Sequence, residues 1–392
     1  MPINYLQMTE QIPEYIQTQY EDMQRRESLQ AVAWQLLQHI AQKPGEIRSL
    51  LEQEKKIDPK LRCAGPAQER MDEIFQPSVS DETNWLLIGV DGSQLTPDPH
   101  SALPFGLINS GIFQMYSRDN RPPSQHTRST LVYATNSKNP AYLPDEDEIH
   151  LMRDLEEREI LIQLAAECPD AVIALTDGPL GLFREPDPKD PHFERFTALL
   201  DNFAQLPADN RIIAGYVDRP RSDPVIQMLA LFLRKNGSVD KDKESANEQF
   251  LGLRDEDIFH NQLGTGARTA VYEALSPSSH YYQDDLTIHF FYINVGTQEK
   301  PSLVRIEIPR WVANNLRLLQ TLHTQILAQC QILGSKPYPY LLHRAHEIAI
   351  VHQDEKAALE TMMMKQWLDA GHPYLELSNK QYLKNLVPGH RR

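Results

Sequence analysis

The sequence has no run of 18 or more apolar residues, so nothing in it reads as a membrane-spanning helix. Nor does it open on the basic-then-apolar layout of an export signal; it begins MPINYLQMTEQIPEY. Both absences point to a cytoplasmic protein. Cysteine is scarce as well: Cys63, Cys168 and Cys330 are odd in number, far apart, and without a close His or Cys. That pattern excludes a disulfide framework and the usual zinc spacings, leaving buried free thiols as the expectation. Positive charge is the third deficit. Lys and Arg number 39 against 54 Asp and Glu, a net charge of −15, so the chain is poorly equipped to grip a polyanion unaided. Internal repeats and low-complexity tracts are missing too.

What is present reads as a mixed α/β chain. The first eighty residues are expected to be mainly helical: Tyr15 to Gln42, with Leu29, Val32, Leu36, Leu37 and Ile40 at helical spacing, then Glu46 to Lys55, then a short stretch from Pro66 to Phe75. Strands follow at Trp85 to Val90, Leu107 to Ser117 and Ser129 to Thr135, the last two separated by a Pro-rich turn at Asp119 to Gln125. Glu146 to Glu167 reads as a helix, Ala171 to Thr176 as a strand, His192 to Phe203 as a helix, Arg211 to Val217 as a strand and Pro224 to Arg234 as a helix. Strand, strand, strand, helix, strand, helix, strand is the chain order of the ribonuclease H fold. Beyond a polar loop at Lys235 to Phe250 come strands Leu286 to Val295 and Ser302 to Ile308. Helices close the chain at Arg310 to Leu333, Tyr340 to Val351 and Asp354 to Asp369.

Two apolar strands run into an aspartate, WLLIGV before Asp91-Gly92 and AVIALT before Asp177-Gly178. Either Asp-Gly pair alone is a turn signal. In the fold order above, however, the first and fourth strands are neighbours, and their two carboxylates would share a site. Carboxylates are the ligands that Mg²⁺ and Mn²⁺ prefer, and a pair of such ions can bracket a phosphodiester displacement. A further acid is needed, and the helix between the strands offers Asp154, Glu156, Glu157 and Glu159. The stripe Leu151 or Met152, Leu155, Ile162, Ala166 passes through Glu159 and leaves Glu156 and Glu157 to its side. A carboxylate on a buried stripe demands a partner or an ion, so Glu159 is the nominee; a partly exposed rim residue is the alternative. His343 and His346, three apart on a helix, are candidates for metal binding or proton transfer.

The motifs IGVDGSQL, TDGPL, GYVDRPRS, IEIPRWVA and YPYLLHRAHEIAIV, in that order over roughly residues 85 to 351, resemble the NurA family of DNA-repair nucleases. The resemblance implies a ribonuclease H-like core with a mixed sheet. It also implies a Mn²⁺-dependent activity (Mg²⁺ being possible) that degrades single- and double-stranded DNA, notably 5′ to 3′, in the resection of DNA ends. Family members form homodimers and work with a HerA-type hexameric ATPase. Carried over by motif, Asp91 and Asp177 become metal ligands, with a helix glutamate placed at Glu159. The family's late histidine falls on His346, and a tyrosine eight residues before it falls on Tyr338. GYVDRPRS brings Asp218, Arg219 and Arg221 to the end of the last core strand, where an arginine could grip a phosphate or pair with the abundant acids.

The expected organisation is therefore a helical N-terminal arm (1–80), a nuclease domain (81–352) and a C-terminal helical extension (353–392). Two other functions fit the same residues. One is a non-catalytic dimeric subunit that threads DNA into a HerA-type translocase, and the other is a same-fold nuclease acting on RNA.

Overall fold

The computed structural model describes residues 3–78, 82–99, 101–133, 142–182, 184–208, 210–235 and 250–373. Ten α-helices are found among them: α1 (Tyr5–Ile40), α2 (Pro44–Ile57), α3 (Glu146–Glu167), α4 (Phe193–Phe203), α5 (Pro224–Lys235), α6 (Asp255–Phe259), α7 (Arg310–Ala313), α8 (Leu316–Ile332), α9 (Tyr340–Ala349) and α10 (Gln353–Asp369). The strands are β1 (Cys63–Pro66), β2 (Ile74–Phe75), β3 (Leu86–Leu95), β4 (Gly106–Tyr116), β5 (Ser124–Val132), β6 (Val172–Asp177), β7 (Arg211–Val217), β8 (Arg268–Thr269), β9 (Tyr272–Leu275), β10 (Ile288–Asn294) and β11 (Leu303–Pro309). None of the described helices is long and apolar enough to cross a membrane.

The chain divides into two compact units, Met1–Asp81 with Ala214–Tyr338, and Glu82–Ile213 with Pro339–Arg392. In the second unit the strand order is β5-β4-β3-β6, and β7 enters beside β6 with its first residues. β4 runs antiparallel to both β3 and β5, whereas β3 and β6 are parallel. This is the mixed sheet expected of a ribonuclease H-like core. Helix α3 begins under an N-cap, the Asp145 side chain accepting from Glu148 N, and three acids in its first turn complement the helix dipole.

In the first unit β1-β9-β10-β11-β7 form an antiparallel run, β7 entering with its last residues. Its core is built from the end of α1, α2, α5, α6 and one face of β10, with Leu37, Ile40, Leu229, Phe259 and Tyr292 at its centre. Asp255, fully buried, accepts from the Val225 and Ile226 amides and from the Tyr292 hydroxyl, and so caps α5 from a distance. All three cysteines are free and buried, as expected. Burial pushes the Cys63 and Cys330 thiols up to about 12.

Three expectations are corrected. Pro66 to Phe75 holds no helix; Cys63–Pro66 instead pairs antiparallel with Leu275–Tyr272, a partner some two hundred residues away that local propensity cannot reveal. The helix expected over Arg310 to Leu333 is two, broken at Asn314-Asn315, where the Asn315 side chain caps α8 by accepting from Leu318 N. Finally, β3 does not stop at Val90 but runs on to Leu95, paired with β4 throughout. The expected loop at Lys235 to Phe250 lies almost wholly outside the described residues, as does the end of the strand expected at Ser129 to Thr135.

Candidate active site

The parallel register Leu86↔Val172 through Val90↔Thr176 puts two aspartates at one level, because Asp91 follows Val90 and Asp177 follows Thr176. β6 ends at Asp177 while β3 continues. Asp91 is therefore not a turn residue. It sits inside a strand opposite Gly111, only 9% exposed, at the point where its neighbour strand gives out. Asp177 is half-buried and leads into Gly178, whose φ of +92° is a left-handed conformation that suits glycine.

Residues alternate across β3, so Asp91 faces α9 and Gly92 faces α3. Two glycines let α9 settle on the Asp91 side. A Cβ at Gly89 would come within 2.7 Å of the Leu341 carbonyl oxygen, and one at Gly111 would collide with the Ala345 carbonyl oxygen. The last carbonyl of α9, at Ala349, accepts from Asn109 Nδ2 at 2.8 Å and from the Ser93 hydroxyl, which fixes that helix end on β3 and β4. So held, α9 brings His346 to Asp91, with Nδ1 and Oδ2 2.7 Å apart. The imidazole side chain is 57% exposed. His343, one turn earlier, lies instead 3.5 Å from Glu347.

On the other side of β3, α3 presses charged side chains against the sheet. A Cβ at Gly92 would lie 2.6 Å from Glu157 Oε1 and 2.9 Å from Arg153 Cγ, so only glycine admits them. Glu156 and Glu157 are 2% and 3% exposed and Asp154 is 8% exposed. The Ser110 hydroxyl, opposite Gly92, donates to Glu156 Oε1 at 3.2 Å. Arg158 Nη1 donates to Glu157 Oε2 at 2.7 Å and its Nη2 to the Pro179 carbonyl at 2.6 Å, which ties the helix to the loop after Asp177. Burial pushes the Glu157 carboxyl up to about 8, against the pull of Arg158 and Arg153 and with the help of the Asp154 and Asp91 charges.

This overturns the burial expected along α3. Glu159 is part-exposed and held by Arg195 through two hydrogen bonds of 2.6 Å, while Glu156 and Glu157 are the buried pair. The apolar stripe misled because α3 buries more than its stripe: Gly92 and Ser110 make a polar floor that receives carboxylates beside it. Arg153, Arg158 and Ser110 were not foreseen. The sequence signal of close approach is Gly92 itself, a glycine that the structure places inside a strand and that local spacing alone makes a turn signal.

Other nominated residues fall in the first unit. Tyr338 meets Tyr216 edge-to-face with ring centroids 5.4 Å apart. Asp218, Arg219 and Arg221 are exposed just past β7, and Arg219 adopts a left-handed φ of 46°.

Among the described residues no three His, Cys, Asp or Glu side chains converge as a ready-made ion cage. The donor set nonetheless fits a divalent cation. Carboxylate oxygens with one imidazole suit Mg²⁺ or Mn²⁺, and no thiolate is among them. The buried Thr176 hydroxyl, adjacent to Asp177, has no hydrogen-bond partner. The bare Cα of Gly92, next to Asp91 in β3, makes room for Glu157 Oε1 on the α3 face of the strand.

The sequence matches the model of the NurA domain over residues 86–351. Among solved structures, the chain is similar to the NurA nuclease from Sulfolobus solfataricus, with a TM-score of 0.51 at 11% identity over 84% of this chain and 95% of that one. It is also similar to endonuclease V from Ciona intestinalis in complex with DNA, with a TM-score of 0.32 at 13% identity over 72% and 89% of the two chains. For the catalytic domain of human endonuclease V the TM-score is 0.32 at 12% identity, over 81% and 98%. No curated protein matches the chain by sequence.

Proposed function

Because the chain belongs to the NurA family, we propose that it is a divalent-metal-dependent nuclease that hydrolyses DNA phosphodiester bonds. The observation that carries this reading is the β3–β6 register, which levels Asp91 with Asp177, together with the 2.7 Å contact of His346 with Asp91. Asp91, Asp177 and Glu157 would hold the metal, Glu157 in place of Glu159, because Glu157 lies against Gly92, next to Asp91 in β3, whereas Glu159 lies against Arg195 of α4. Mn²⁺ is the ion proposed, with Mg²⁺ as substitute. When bound, the metal lowers the pKa of its water and offsets charge on the phosphate oxygens.

The protein's own groups do the rest. With its proton on Nδ1, His346 donates a hydrogen bond to Asp91 Oδ2, which orients the ring and presents Nε2 as the acceptor for a proton from attacking water. Arg158 holds Glu157 and the Asp177 loop in one frame. Tyr338, Arg219 and Arg221 are proposed as substrate contacts on their motif positions alone. With a net charge of −15, a partner that delivers DNA is needed. A HerA-type ATPase acting with a homodimer in 5′ to 3′ end resection is the proposed setting, in the cytoplasm.

The decisive assay compares Mn²⁺, Mg²⁺ and EDTA on end-labelled single- and double-stranded DNA. Asp91→Ala and Asp177→Ala should each abolish metal-dependent cleavage. Cleavage surviving either substitution would sink the mechanism, and an RNA strand of the same sequence tests the choice of sugar.

A further inference from the structure

Arg153 lies where a cation would be wanted. Its Nη2 is 3.1 Å from Asp154 Oδ1, its Nε is 3.2 Å from Glu157 Oε1, and its stem lies against Gly92. The Asp91 charge also acts on it. One guanidinium thus contacts two of the acids in the cluster and feels the charge of a third. It is held less firmly than its neighbour Arg158. Arg158 is 6% exposed and makes hydrogen bonds to both Glu157 and Pro179. Arg153 is 29% exposed and meets Glu157 through Nε at ion-pair distance without hydrogen-bond geometry, whereas the Nε of either arginine lacks a hydrogen-bond partner. A flexible stem with one end at solvent can swing outward while its methylenes stay packed.

We propose that Arg153 is a resident counter-ion of the metal-free cluster, anchored on Asp154, competing with the divalent metal for Glu157 and yielding its place when the metal binds. The inference rests on the reading of these carboxylates as a metal site. Its physical basis is that buried carboxylates with no cation nearby repel one another and resist burial, so the apo protein needs a positive charge here. A side-chain cation supplies it and sets a threshold that the metal must exceed. Arg153 thereby tunes occupancy: the cluster stays intact without metal and fills only when free metal is sufficient.

The test is titration of MnCl₂ into the metal-free full-length protein by calorimetry, with Mn²⁺ electron paramagnetic resonance as a second reading of free ion. Arg153→Met keeps the stem against Gly92 and removes the charge. It should bind Mn²⁺ about tenfold more tightly than wild type, the loss of roughly one or two competing ion pairs. Its metal-free form should melt lower, and its Mn²⁺-induced rise in Tm should be larger. Arg153→Lys, which keeps the charge but loses the fork, should fall between the two. Should the Met variant not fold, Arg153→Lys must still bind more tightly than wild type. Equal or weaker Mn²⁺ binding by these variants, with wild type binding normally, overturns the role of Arg153 and leaves the metal site standing. No Mn²⁺ binding by wild type overturns both.

Discussion

At the scale of single residues, the choice between two acids two positions apart on α3 has consequences that kinetics can read. Glu157 is buried and sits against Gly92 beside Asp91, whereas Glu159 is part-exposed and paired with Arg195. Glu157→Gln should lower the metal-dependent rate about a hundredfold or more. Glu159→Gln, losing an ion pair with both partners near 30% exposed, should change stability by less than about 1 kcal/mol and leave the rate nearly intact. Single-turnover rates of the two variants at saturating Mn²⁺ decide the matter, and the opposite ranking would return the role to Glu159. The sequence made Asp91, Asp177 and His346 visible because each stands in a distinctive motif. It left the glutamate open among four acids on one helix, since which one meets the sheet depends on where Gly92 and Ser110 offer room.

At the scale of elements, α9 matters more than its ten residues suggest. It carries His346, and its docking depends on what β3 and β4 lack. Gly111 is opposite Asp91, and a methyl group there would strike the Ala345 carbonyl. Backbone cannot retreat as a flexible side chain does, so Gly111→Ala should destabilise the protein by about 1–3 kcal/mol. It should also lift His346 from Asp91 and reduce the rate in parallel. Urea unfolding and cleavage assays on the variant measure both effects; full activity at wild-type stability would mean that α9 tolerates displacement. Most helices and strands were legible from periodicity, α3 and β7 to the residue. Of the elements misread, two are set by their sheet partners: β1 is a strand because β9 pairs with it, and β3 overruns its aspartate because β4 continues alongside; the third, the break between α7 and α8, is set locally by the Asn315 cap.

For the whole molecule, the marker of global stability is His323 on α8, in the unit that carries no nominated metal ligand. It is 1% exposed, its Nε2 lies 2.7 Å from the Gly266 carbonyl, and burial pulls it down to about 4 from the ordinary 6.5. A base depressed in the folded state binds fewer protons there than when unfolded, so its contribution is present above pH 6.5 and is lost as pH falls toward 4. The loss amounts to about 3 kcal/mol. His323→Gln should flatten that acid limb in urea midpoints taken between pH 7 and pH 4.5; an unchanged limb would show that other groups govern it. What the sequence determined by itself was local: periodicity set most elements, and an aspartate after each of two apolar strands, with a histidine in a late helical motif, nominated three members of the candidate site. Only the tertiary structure decided their company. The register of β3 against β6 levelled the aspartates, the missing Cβ atoms at Gly89, Gly92 and Gly111 let two helices close on the strand from opposite faces, and the space at Gly92 placed Glu157 and Arg153 against β3. Those are matters of distance and exclusion between segments far apart in the chain, and spacing along a single chain does not encode them.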